Sequence, residues 1–128
     1  MKRLFLSLGL VVLAAVTAAC SGSGSSVSQQ PPASVDPNAP VIVAQNNAFN
    51  PTTLDVEADK AFSLTLDNKD SAPHNVAIFT DSSASTSISV GEIVTNAKTT
   101  QQVPALAAGS YFFRCDVHKE MTGTINAK

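Results

Sequence analysis

A chain of 128 residues is one domain at most once processing segments are set aside. Its formal net charge of -2, from eight basic residues against ten acidic ones, supplies no basic stripe for nucleic acid and does not favour an anionic lipid surface.

The chain begins with Lys2 and Arg3, an apolar run over residues 4–16, and the small residues Thr17, Ala18 and Ala19 ahead of Cys20. A basic start, a short apolar core and a small-residue end describe an export signal over residues 1–19. Its core is too short to span a bilayer comfortably, the alternative being an anchor that stays attached. The stretch also resembles a bacterial lipoprotein processing site, with Thr17 where such sites more often carry leucine. That resemblance implies that Cys20 becomes the lipidated first residue of the mature chain, in the periplasm or at the cell surface. Loss of Lys2 and Arg3 would leave six basic residues against ten acidic ones, a net charge of -4.

Residues 21–40, "SGSGSSVSQQPPASVDPNAP", hold almost no large apolar side chain and cannot bury enough surface to fold. With Cys20 they read as a linker whose root-mean-square span is roughly 25 Å, so the following domain would hang close above a membrane.

Residues 41–128 form the domain. In "AFSLTLDN" Phe62, Leu64 and Leu66 share one face, with Ser63 and Thr65 on the other. Similar alternation recurs in "VIVAQN", "TLDVEA", "HNVAIF", "SISVGEIV", "TTQQV", "SYFFRC" and "MTGTINA", and no window carries a helical stripe. Seven or eight short strands at this spacing predict an all-β, antiparallel Greek-key sandwich. Turns are expected at Asn50-Pro51, Asp67-Asn68 and Ala108-Gly109.

The chemistry-bearing residues fall at strand ends. His74 has the parity of Val76 and Ile78, and Cys115 that of Tyr111 and Phe113, so both are expected to face the core. Cys115, His118 and Met121 follow at three-residue intervals. In an oxidising compartment two cysteines would ordinarily form a disulfide, but Cys20 lies beside the signal, which leaves Cys115 an odd thiol in need of a reason. Taken singly, a core histidine, cysteine or methionine is most simply a packing residue. Taken together, one thiolate, two imidazoles and a thioether make the ligand set of a mononuclear blue-copper site. The chain holds that set once, since it has only two histidines.

"SAPHNVAIF" followed by "GSYFFRCDVHKEMTGTI" resembles the bacterial cupredoxins, the plastocyanin, azurin and amicyanin group, over residues 41–128. The resemblance implies His74, Cys115 and His118 as equatorial copper ligands and Met121 as the axial one. It implies a hydrogen-bonding role for Asn75, tying the two ligand loops together. The spacing of the last three is that of amicyanin, although Lys119 stands where many relatives have proline. It further implies one copper cycling between Cu(I) and Cu(II), single-electron transfer, and a solvent-facing His118 with Ala72, Pro73 and Lys119 around the contact surface. The expected partner is a cytochrome or respiratory complex, with the domain monomeric and held to the membrane by its lipid.

Other readings differ in what they require. Copper enzymes on this fold need further histidines, and both are taken. A two-copper centre needs a second cysteine on the loop. An acyl-transfer thiol needs a cleft and an orienting group. A copper storage or delivery protein remains the alternative, and zinc would accept the same cysteine and histidines.

Overall fold

The structure is a computed structural model that describes residues 38–128. The export signal, Cys20 and all but the last three residues of the expected linker lie outside the described residues. Nine strands follow in order: β1 Val41–Gln45, β2 Ala48–Asn50, β3 Thr53–Val56, β4 Phe62–Asn68, β5 Ala77–Phe79, β6 Ser87–Val90, β7 Lys98–Val103, β8 Gly109–Arg114 and β9 Thr122–Ala127. They make a four-stranded sheet, β2-β1-β4-β7, facing a five-stranded sheet, β3-β9-β8-β5-β6. No helix occurs among the described residues.

The all-β sandwich read from the alternation is the fold, with nine strands where seven or eight were expected. Five of the strand pairings are antiparallel, but β1 runs parallel to β4 and β3 parallel to β9. Side-chain alternation reports which face is buried and carries no information on strand direction, so the parallel pairs were not legible. The first strand starts at Val41, and just ahead of it the Pro40 carbonyl accepts from Thr65 N–H at 3.0 Å.

The missed strand is β2. Asn46 and Asn47 both have φ of 56°, and Gln45 faces Ala48 across them, which is a two-residue hairpin turn. Adjacent asparagines between apolar runs are the signal for such a turn, because asparagine tolerates left-handed backbone. The turn expected at Asp67-Asn68 begins later, because both residues remain in β4. Asp67 sits opposite Lys98 in the ladder, and the Asn68 side chain starts the turn by accepting from Asp70 N–H at 2.8 Å.

Ile42, Ala44, Phe49, Leu64, Leu66 and Val103 from one sheet pack on Leu54, Ile78, Phe113 and Ile125 from the other, with Val76, just ahead of β5, in the same core. The Phe49 and Phe113 rings meet across the layer at 5.6 Å between centroids. Gly123, opposite Phe113 in the β8–β9 ladder, leaves room for that ring, since a Cβ there would collide with it and with the Thr52 carbonyl.

Several carboxylates carry the outer surface. Lys128 Nζ at 2.6 Å, and then the Asn126 amide, hold the Asp55 carboxyl below its ordinary value of 3.8. Burial pushes Asp67 up, but Lys69 and Lys98 Nζ at 3.0 and 3.2 Å outweigh it and its carboxyl is also lowered. A carboxylate whose folded pKa lies below its unfolded value stabilises the fold above the unfolded value and loses that contribution as pH falls through the folded one. The thermal midpoint of the metal-free protein is therefore expected to hold between pH 7 and about 5 and to fall below about pH 4. Calorimetry at pH 6 and pH 3 measures it, and an unchanged midpoint at pH 3 would contradict these pairings.

Candidate metal centre

Two loops at one end of the sandwich carry the chemistry. The first leads from β4 to β5 and delivers His74, which is held by a two-bond bridge to Val94: each N–H donates to the other's carbonyl at 3.0 Å. The expected strand over "HNVAIF" starts only at Ala77, so His74 is positioned by that bridge and not by a continuous ladder.

The second loop joins β8 to β9 and closes on itself. Cys115 N–H donates to the Met121 carbonyl at 3.0 Å, and Met121 N–H to the His118 carbonyl at 2.9 Å. This closure folds the three-residue intervals of Cys115, His118 and Met121 into one turn of chain. Cys115 is a free thiol with no exposure, behind Phe113, and Met121 is buried at the loop's far end.

The loops bring His74, Cys115 and His118 together, with one ligand atom from each lying within 4.8 Å of the others. His74 Nδ1 is 3.9 Å from Cys115 Sγ. The His74 and His118 rings stand 4.7 Å apart between centroids, inclined at 58°. His118 is only half-buried, yet its Nδ1 is buried with no hydrogen-bond partner. Such an orphaned imidazole nitrogen is costly unless something binds it. A lone pair in that position, beside a thiol and a second imidazole, fits a metal ion that prefers mixed sulfur and nitrogen donors.

The model of the cupredoxin-like domain family matches residues 10–127. The chain belongs to the cupredoxins.

Solved structures with the same fold include auracyanin A, a "blue" copper protein from the green thermophilic photosynthetic bacterium Chloroflexus aurantiacus, with a TM-score of 0.62. It is 19% identical, over 69% of this chain and 96% of that one. Dithionite-reduced auracyanin from Roseiflexus castenholzii also gives a TM-score of 0.62, at 17% identity over 70% of this chain and 96% of that one. Amicyanin from Paracoccus versutus gives 0.58, at 21% identity over 74% of this chain and 86% of that one. No curated protein matches the chain.

In this cupredoxin Asn75 ties the two loops. It is 1% exposed; its Oδ1 accepts from Asp116 N–H at 2.9 Å, and its Nδ2 donates to Asp116 Oδ2 at 2.9 Å and to the Gly91 carbonyl at 3.3 Å. Sequence reasoning missed Asp70. Its Oδ2 accepts from His74 Nε2 at 3.0 Å while the N–H groups of Asn46 and Asn47 also bind the carboxylate. Those backbone donors, Asn47 first, hold the Asp70 carboxyl below its ordinary range, so it is charged at neutral pH. Its signal in the sequence was only an acidic residue four positions before a histidine, in a stretch with no periodicity.

Around the loops, Ala72 is half-buried, and Pro73, Lys119 and Glu120 are exposed. Val117, between Cys115 and His118, is 45% exposed, and Ile93, beside the Val94 bridge, is 54% exposed.

Proposed function

We propose that this cupredoxin is a mononuclear copper electron carrier, in which His74, Cys115 and His118 would be the main ligands and Met121 a weaker fourth one. The observation that carries the reading is the buried His74–Cys115–His118 cluster with its partnerless His118 nitrogen. Copper bound there would supply a one-electron couple, the cuprous state favouring sulfur and the cupric state accepting imidazole. The chain's own contribution is rigidity. The bonds from Cys115 to Met121 and from Met121 to His118, and the Asn75–Asp116 clasp, keep the donors in one arrangement. A donor set that moves little between oxidation states keeps reorganisation small and exchange fast. Burial of Cys115 and His74 keeps water from the sulfur and from the inner ring.

His118 is the half-buried member of the cluster, so electrons would enter and leave at its exposed edge, through a contact surface of Ala72, Pro73, Val117 and Lys119. Lys119 and Glu120 put opposite charges there, which suits a partner of mixed charge such as a cytochrome or a respiratory complex. The reading is of a carrier and not an enzyme: both histidines of the chain already belong to the one cluster, leaving none for a second copper centre. Export and a lipid on Cys20 would tether the domain outside the cytoplasmic membrane by the linker of residues 20–40.

Metal analysis of natively purified protein should find one copper per chain, and Cu(II) added to metal-free protein should give an intense blue or green colour. The loaded protein should then exchange electrons rapidly with a soluble cytochrome c while keeping its copper. Zinc in the native protein, or slow exchange with ready loss of copper to an acceptor, would overturn the carrier role in favour of another metal or of copper delivery.

A further inference from the structure

Three donors from two parts of the chain converge on the Asp70 carboxylate. The Asn46 N–H reaches Oδ1 at 2.8 Å, and the Asn47 N–H and His74 Nε2 reach Oδ2 at 2.9 and 3.0 Å. The backbone of Asp70 is pinned as well. Its N–H donates to Asn68 Oδ1 at 2.8 Å, and its carbonyl accepts from Asn96 N–H at 2.9 Å. Asn68, 1% exposed, donates its amide to the carbonyls of Ala72 and Val94 at 2.8 and 2.7 Å. The hub thus joins the β1–β2 turn, the end of β4 and the segment that bridges His74.

A carboxylate accepts only, so the bond at His74 Nε2 requires the proton to sit on that nitrogen. In the neutral ring Nδ1 then keeps its lone pair, 3.9 Å from Cys115 Sγ. An imidazole that donates its outer N–H to an anion is a stronger base at its inner nitrogen than one that donates to a neutral group.

We propose that Asp70, clamped by the Asn46–Asn47 turn, is a positioning residue that fixes the tautomer and ring angle of His74 and, through its charge, favours the cupric over the cuprous state. The proposal rests on the copper reading above. A loosened site would weaken both oxidation states alike, whereas removal of a negative charge weakens the more highly charged ion more. The reduction potential reports the ratio of the two affinities, so it separates a positioning role from a merely structural one.

The test compares copper-loaded wild type, Asp70→Asn, and Val103→Ala, a truncation of a core residue that is 1% exposed and paired with Phe62. The asparagine keeps the size of the side chain but loses its charge and offers one acceptor oxygen to three donors. Its Cu(II) affinity should fall roughly 10–100-fold, its Cu(I) affinity less, and its potential should rise. Val103→Ala should lower the thermal midpoint and leave the potential where it was. A coloured wild type whose Asp70→Asn variant keeps its potential overturns this proposal alone, while a wild type that takes no copper overturns the copper reading and this proposal with it. The wild-type protein loaded with Cu(I) gives an independent measurement that needs no variant. Nitrogen NMR should show His74 protonated at Nε2 with that proton protected from exchange, and a proton on Nδ1, or one that exchanges freely, overturns the assignment.

Discussion

Cys115→Ser is expected to abolish the visible colour that Cu(II) gives the wild-type protein. The colour of a cupric thiolate comes from charge transfer out of the sulfur, and a serine hydroxyl neither ionises at neutral pH nor offers a soft donor. The change in size is small, so the sandwich should persist, but Cys115 has no exposure and the new hydroxyl enters a site lined by His74 and Phe113. Its burial costs about 1–3 kcal/mol in the metal-free protein. The second loss appears on adding metal. Wild type with Cu(II) at a hundred times its dissociation constant gains about 2.7 kcal/mol from binding the native state alone, and the variant should gain far less. Visible absorption and thermal melts, each with and without Cu(II), give both effects. Cys20→Ser, run in parallel on the full chain, should keep the wild-type colour. A Cys115→Ser variant as blue as its parent would remove the thiolate from the site.

The parts of this molecule that could be read from sequence are those that alternation and spacing encode. Parity located Cys115 behind Phe113 because β8 is a regular strand whose ladder to β9 runs unbroken from Gly109 to Arg114. The Cys115, His118 and Met121 intervals suit a loop that closes within seven residues, and the backbone bonds close it there. His74 was placed on the core face by parity with a strand that does not extend to it; its burial comes from the bridge to Val94, so the inference reached the correct face by an incomplete route. Parity also failed to foresee that Asn75, Ala77 and Phe79, on the opposite face of that segment, are buried too. Phe79 is covered by the Arg114 guanidinium at 4.9 Å and by Phe112, both from the neighbouring strand. Strand direction depends on pairing geometry, the Asn46–Asn47 turn's contact with Asp70 joins segments more than twenty residues apart, and Asp70's hold on His74, though only four residues long, lies in a loop with no periodicity to report it. Local pattern does not carry such information.

Asn75→Ala is expected to cost about 2–3 kcal/mol, because it leaves the Asp116 N–H without its acceptor and removes both amide donors from a side chain that is 1% exposed. For a domain of this size that lowers the thermal midpoint by roughly 10–15 °C. The functional effect follows from which elements the clasp joins. His74 belongs to the loop before β5 and Cys115, His118 and Met121 to the loop after β8, and Asn75–Asp116 is a side-chain tie between them outside the cluster itself. Without it the two parts of the cluster move more independently, so bound copper should be lost faster and electron exchange should slow. Asn75→Asp sharpens the argument. It keeps the acceptor for the Asp116 N–H but sets a second carboxylate where the amide donated to Asp116 Oδ2 at 2.9 Å. Like charges at that range raise the folded-state pKa of the pair above the unfolded value, so the penalty is present at neutral pH and shrinks as pH falls towards about 4. The lowered carboxylates elsewhere on the surface are common to both proteins and cancel in the difference, so the gap between the two proteins should narrow on acidification. A gap that stays constant from pH 7 to pH 4 would show that the two carboxylates do not meet at this position, and so that Asn75 does not hold the Asp116 side chain against the first loop.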